Sequence, residues 1–398
     1  MSIKKTIIYI PLLITVVLIA FLAFSIFRPL PPIKTVIIFK PKTIVNNQKI
    51  VWAKSGNQAI GLVGYKVANQ SGSNIPSPVA STIKVLLALS VLSKKPLALD
   101  QQGPNIIITP ADVANYDADL AQGESVVKVT SGETISEYQA LQALLIASAN
   151  NFADILANWA FGSTPNYLTY ANQFAKSIGM SSTTISDDSG YSTSTISDSV
   201  DLVALGQKAI VSPVIANIVD EYTATIPVVG KITNYNINLN PTINKQINGI
   251  KTGNTTTGGG NYLYSAHYMN YQIVGSIVGA TDLNTALSEG PQMLSEYESL
   301  INIQTIISKN QVVGYYNLPW GNKIFIYSKT TQLLPVQPNI KYSTNLELSQ
   351  YQIGGKNIAN YLVISNDQKT NRYTLTVENT YKAPSLWWKL QYSLKNLD

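Results

Sequence analysis

The chain of 398 residues has no cysteine and a single histidine, His267. These two shortages exclude thiol nucleophiles, disulfides, cysteine-ligated zinc, iron–sulfur clusters and any site that needs two histidines. A Ser-His-Asp triad would have to use His267. That residue lies in the aromatic run Tyr264-Ser265-Ala266-His267-Tyr268, which reads as a hairpin strand and assigns the histidine a structural or surface role. Charge is also scarce, at 13% of residues, with no cluster of lysine and arginine. Of the formal net charge of +6, Lys4, Lys5 and Arg28 supply three units and residues 1–28 carry no acid. The remainder is no nucleic-acid footprint, and no nucleic-acid partner, metal or cofactor is expected.

One long apolar run is present. Thr6 to Phe27 is 22 residues without a charge, bounded by Lys4 and Lys5 before it and Arg28 after it. As a helix it spans about 33 Å, enough for a hydrocarbon core of about 30 Å. Ala23-Phe24-Ser25 offers a signal-peptide cleavage site, but the run exceeds a usual signal core, so an uncleaved anchor over 1–28 is favoured. The preceding lysines hold the amino terminus inside, which makes this a single-pass cell-membrane protein with the rest of the chain outside. Pro29, Pro31 and Pro32 then begin an extended stem over 29–49.

A strand is expected at Ala59–Val67, a helix over Val79–Leu92, a second helical stretch over Ser136–Ala160, and a hairpin over Asn261–Ala280. Ser181–Ser199, rich in Ser, Thr and Asp, reads as a flexible loop. Past residue 300 the runs near Val312, Lys323, Asn360 and Tyr373 are short and β-like, giving a small all-β domain over 301–380 after a larger domain over 50–300. Residues 381–398 end the chain as an amphipathic helix. Leu386, Leu390, Leu394 and Leu397 form its apolar face, beside Trp387, Trp388, Lys389 and Lys395, which suits a membrane interface or a docked position on the β-domain.

The chemistry sits in three strings: Ser81-Thr82-Ile83-Lys84, Ser148-Ala149-Asn150 and Lys251-Thr252-Gly253. A serine three residues before a lysine at a helix start puts both side chains on one face, beside unpaired backbone NH groups that favour negative charge. Lys84 can serve as a base only if its amine is neutral, which needs burial or neighbouring cations, and Val85, Leu86, Leu87 and Leu89 supply the apolar setting. Each string alone fits an ordinary helix cap, exposed polar pair or strand end. Their order, at separations of 67 and 103 residues, is what carries information.

Pro78-Val79-Ala80-Ser81-Thr82-Ile83-Lys84, Ser148-Ala149-Asn150 and Gly249-Ile250-Lys251-Thr252-Gly253-Asn254-Thr255 resemble the P-x-A-S-x-x-K, S-x-N and G-x-K-T-G-x-T motifs of the low-molecular-mass penicillin-binding proteins, the serine D-alanyl-D-alanine carboxypeptidases. The likeness runs from about Ala59 to Ser299. It implies an α+β fold, a transpeptidase/β-lactamase-like domain of antiparallel sheet and helices, followed by the small all-β domain. It further implies Ser81 as the acylated nucleophile, Lys84 as its base and Ser148 as proton relay, with Asn150, Lys251, Thr252, Gly253 and Asn254 binding substrate. The NH groups of Ser81 and Asn254 would form the oxyanion hole. The implied partners are a peptidoglycan stem peptide and β-lactam antibiotics as acylating inhibitors.

Two positions depart from the family pattern: Asn254 follows the third motif, and Asp188-Ser189-Gly190-Tyr191 stands where a glycine–leucine pair is usual. A class A β-lactamase needs a glutamate-activated water, and no glutamate occurs between Asn151 and Asp220. An endopeptidase or transpeptidase acting on cross-linked stems uses the same residues and stays open. A non-catalytic wall-binding homologue would have no chemical need for Lys84 or Ser148.

Overall fold

The computed structural model describes residues 3–65, 69–227, 229–243, 246–365 and 370–397, and it divides into two compact units. One comprises Asn46–Asn302 with Gln337–Asn339; the other comprises the chain up to Val45, Ile303–Val336 and the chain from Ile340 onward.

In the first unit the expected hairpin forms the middle of an antiparallel sheet. Strands Gly259–Tyr268 and Tyr271–Ala280 pair with each other, with Ile247–Thr255 outside the first and Asn57–Leu62, then Asn69–Gln70, outside the second. Of the strand read over Ala59–Val67, Lys66 and Val67 lie outside the described residues. Strand side chains alternate between faces. Tyr262 and Tyr264 therefore meet helix α9 (Leu283–Leu300), while Ile250, Leu263, Val274 and Val278 join the main core with the other helices.

Those helices are α2 (Lys84–Lys94), α3 (Pro110–Ala121), α4 (Glu137–Leu145), α5 (Asn150–Phe161), α6 (Thr164–Ser177), α7 (Ser199–Ile210) and α8 (Pro213–Asp220). Thr109 and Ser136 close capping boxes on α3 and α4, and Ser163, Asp198 and Asp282 accept from backbone NH groups at the starts of α6, α7 and α9. Each such cap is worth about 1 kcal/mol. Helix α2 is the hub, because Val85, Leu86, Leu87, Ala88 and Val91 are all fully buried. Burying each larger aliphatic side chain contributes roughly 1.5–3 kcal/mol, so α2 and everything attached to it is held firmly.

Two local readings are corrected. Val79–Leu92 is not one α-helix: Ala80–Ile83 forms a 3₁₀ turn and α2 begins at Lys84, so Ser81 precedes the α-helix. The Thr82 hydroxyl donates to the Val79 carbonyl at 2.8 Å, a local bond that tightens this turn. Ser136–Ala160 is not one helix either. Helices α4 and α5 are separated at Ile146–Ala149, where Ser148 takes a left-handed conformation with φ +60°.

The second unit holds two four-stranded antiparallel sheets. One runs Lys34–Ile37, Val312–Asn317, Lys323–Tyr327, Thr376–Val377; the other runs Thr43–Val45, Lys341–Leu348, Ala359–Ser365, Thr370–Thr374. Along Ala359–Ser365 burial alternates strictly, as in a strand with one face inward. Within the 29–49 segment, Lys34–Ile37 and Thr43–Val45 each form an edge strand of a sheet instead of a free stem. Helix α1 (Ile3–Phe27) is long and apolar enough to cross a membrane, and α10 (Leu386–Lys395) starts at Ser385, whose hydroxyl accepts from the Trp388 amide.

Candidate active site

The 3₁₀ turn eclipses residues three apart, which places Ser81 and Lys84 side by side. The Lys84 ammonium has three protons and three acceptors: Ser81 Oγ at 2.8 Å, Asn150 Oδ1 at 2.6 Å and the Ser189 carbonyl at 2.8 Å. Lys84 is fully buried, whereas Ser81 lines an open cleft of about 490 Å³. Burial pulls the Lys84 amine down to about 8, against the opposing pull of Asp187, Asp188, Glu124 and Asp119.

The break between α4 and α5 brings up the second string. Asn150, the first residue of α5, has its amide held by the Ser125 carbonyl at 2.7 Å, and its side chain bridges Lys84 to the Glu124 carboxylate. Ser148 is buried at the break, 4% exposed, and the Lys84 protons all go elsewhere.

The third string occupies the edge strand Ile247–Thr255, with Lys251 opposite Leu263 and Thr252 opposite Tyr262. Lys251 and Thr252 are buried, and the Lys251 ammonium donates to the Thr252 carbonyl at 3.2 Å. Burial, joined by the charge of Lys84, holds the Lys251 amine well below its usual range. Gly253 is required by close approach: a Cβ there would stand 2.8 Å from the Val79 carbonyl and 3.1 Å from the Ser81 amide. The strand end is thereby pressed against the serine turn, and Asn254 lines the cleft with Ser81, Asn150 and Glu124.

The fourth wall was not legible as a site. Ser181–Ser199, read as flexible, is tied by Asp187, whose carboxylate accepts from the Tyr191 amide at 2.8 Å, the Ser189 hydroxyl at 2.9 Å and the Thr195 hydroxyl. The result is a fixed Ser189 carbonyl aimed at Lys84 and a Gly190 packed on Ala80. Behind it, burial pushes the Asp188 and Asp154 carboxyls up; Asp154 raises Asp188 further, while a hydrogen bond from Asp188 pulls Asp154 partly back down. The Asp187-Asp188 pair in an otherwise Ser/Thr-rich segment was the one available signal. Glu124 and Ser189 had none, since one comes from a distant loop and the other acts through its backbone. His267 lies away from all of this, exposed, with Nε2 3.2 Å from the Asn248 amide nitrogen.

Fold and site together define a serine–lysine pair set between an antiparallel sheet and a helical layer, with no histidine beside it. The chain belongs to the D-alanyl-D-alanine carboxypeptidase family, peptidase family S11, which matches residues 64–282. It is 34% identical over 157 residues to the D-alanyl-D-alanine carboxypeptidase DacB2 of Mycobacterium tuberculosis, covering 39% of this chain and 50% of that protein. It is 25% identical over 179 residues to DacC of Escherichia coli, covering 44% of each. The chain thus spans half or less of the curated relatives it matches. Penicillin binding protein 5 of Haemophilus influenzae has the same fold at 17% identity, with a TM-score of 0.63 over 84% of this chain and 99% of that one.

Proposed function

We propose that the protein is a membrane-anchored serine D-alanyl-D-alanine carboxypeptidase that faces outward and trims peptidoglycan stem peptides through an acyl-enzyme. The supporting observation is the bonding of one buried lysine, shifted to about 8, to Ser81, Asn150 and the Ser189 carbonyl. In this reading neutral Lys84 takes the Ser81 proton as Oγ attacks the penultimate D-alanine carbonyl. The oxyanion forms against the NH groups of Ser81 and Asn254. The C–N bond then breaks, the departing D-alanine amine takes a proton relayed through Ser148, and water hydrolyses the ester. Lys251, whose amine burial and the Lys84 charge pull down, is the partner for the substrate's terminal carboxylate, with Thr252 beside it, because an arriving anion favours the charged amine. Asn150 holds the substrate backbone, and Gly253 lets the strand reach it.

Anchorage in this proposal is by α1, with α10 lying in the interface. Leu386, Trp387 and Leu394 of α10, and Leu397 just beyond it, are exposed, while Arg28 after α1 donates to the Asn396 carbonyl at 2.9 Å and Lys389 to the Ile26 carbonyl at 3.1 Å. β-Lactams mimic the substrate and acylate the same serine. The test is fluorescent-penicillin labelling of the full chain and its Ser81→Ala variant, with D-alanine release from a peptide ending in D-Ala-D-Ala measured in parallel. Labelling and release that both vanish in the variant support the proposal. Release that persists without Ser81 removes it.

A further inference from the structure

Where α1 ends, the β-rich unit and α10 enclose a cavity of about 480 Å³. Pro31, Pro319, Trp388 and Tyr392 form apolar and aromatic walls, and Lys34 and Lys395 are among the residues that line it. Trp388 and Tyr392 stack at 5.1 Å between ring centroids, and Trp320 packs edge-on to Trp388 at 5.7 Å, so the wall is braced from behind. No acidic residue lines the cavity. Among the described residues the ion pair in this unit joins Arg372 to Glu347, and no carboxylate among them pairs with Lys34 or Lys395.

The position of this cavity follows from the chain. Pro31 is four residues beyond Phe27, so it lies at most about 14 Å from the end of α1. Lys389 and Arg28 bond α10 to the last turn of α1 and the residue after it, which sets Trp388, Tyr392 and Lys395 at the same level. With α1 spanning a bilayer, a reading on which this inference rests, that level is the headgroup layer, about 5–8 Å deep on each face. We infer that the cavity is a binding site for the headgroup of an anionic phospholipid, its phosphate held between Lys34 and Lys395 and its glycerol and upper acyl carbons against Trp388 and Tyr392. Arg28 serves a different purpose: its guanidinium is bonded to the carbonyls ending α10 and lies 5.2 Å from the Tyr392 ring centroid, keeping the wall in place.

This assigns the foot of the protein a lipid preference beyond simple insertion. Each lysine near an anionic surface contributes about 1 kcal/mol, a factor of a little over five, so the pair supplies about thirtyfold. The full chain is reconstituted in nanodiscs of phosphatidylcholine containing a minor fraction of phosphatidylglycerol, and the lipid retained after detergent extraction is counted by native mass spectrometry. The wild type is expected to retain phosphatidylglycerol about thirtyfold over its share of the bilayer, and Lys34→Gln/Lys395→Gln to retain the two lipids in proportion to supply. Lys329→Gln/Lys341→Gln, which removes the same charge from exposed lysines that do not line the cavity, is expected to behave as wild type. Equal enrichment in the cavity variant, or equal loss in the control, overturns the inference. Flotation of the same proteins with carbonate-washed vesicles tests the anchor separately: a chain that fails to float removes the membrane reading, whereas one that floats without selectivity removes the headgroup site alone.

Discussion

Replacing Glu124 by Gln tests the electrostatics of the lysine base. Glu124 reaches Lys84 through the Asn150 amide, which accepts from Lys84 at 2.6 Å on one side and donates to Glu124 on the other. Across that amide the carboxylate and ammonium are about 7 Å apart, which at an effective dielectric of about 20 is an attraction of about 2 kcal/mol. Glu124 is partly open to solvent, and screening reduces the effect by about half, to roughly one pKa unit. Glutamine keeps an oxygen for the Asn150 NH₂ and removes the charge. On the proposed mechanism the active form is neutral Lys84, so kcat/KM is expected to rise with pH through the amine's value of about 8. Losing a carboxylate that favours the ammonium moves that limb down to about pH 7 and raises the rate at pH 7 about fivefold, as the neutral fraction climbs from about one-tenth to about one-half. The assay is the pH profile of penicillin acylation between pH 6 and about 10. An unmoved limb in a normally folded variant would refute the coupling, and a limb moved upward would refute its sign.

Gly190→Ala is expected to be costly, since φ is +79° and the new Cβ would sit 2.1 Å from the Ala80 carbonyl oxygen, against backbone that cannot swing aside. A loss of about 3 kcal/mol lowers Tm by roughly 6–12 °C by calorimetry, and a change under about 2 °C would sink the close-packing argument. Glu137 is fully buried with neither carboxylate oxygen bonded among the described residues, and burial pushes its carboxyl up to about 7 from 4.5. The folded state therefore binds the proton more tightly than the unfolded one, and stability falls as pH rises from 4.5 to 7. Glu137→Gln is expected to flatten that fall and to melt higher than wild type above pH 7; parallel melting curves across the window would refute it.

The three strings were legible because their chemistry is carried by residue identity, and the hairpin because Tyr262, Tyr264 and their neighbours follow a period of two. The break at Ser148 was not, because neither glycine nor proline marks it and an alanine–serine–alanine run reads as helix. The active-site wall formed by Ser189 was hidden for another reason: its contribution to Lys84 is a backbone carbonyl, held by an Asp187 network that composition alone makes look like loose loop. Lys34–Ile37 and Thr43–Val45 read as stem because a strand is recognised partly by its partner, and theirs lie near Asn317 and Ser343.

That last pairing imposes an order of assembly. Strand Lys34–Ile37 emerges early in synthesis, yet the residue opposite Lys34 is Asn317 and the one opposite Thr43 is Ser343. Nearly the whole catalytic unit is translated and able to fold before either early strand has anything to bind, and closure over so long a loop is slow. The unit Asn46–Asn302 is thus an insert within the β-rich unit, and a newly made chain carries two unpaired strands after α1 until the late strands arrive. A truncation after the catalytic unit leaves those strands permanently unmatched, so the unit that bears the active site can be isolated cleanly only by cutting on both sides of it.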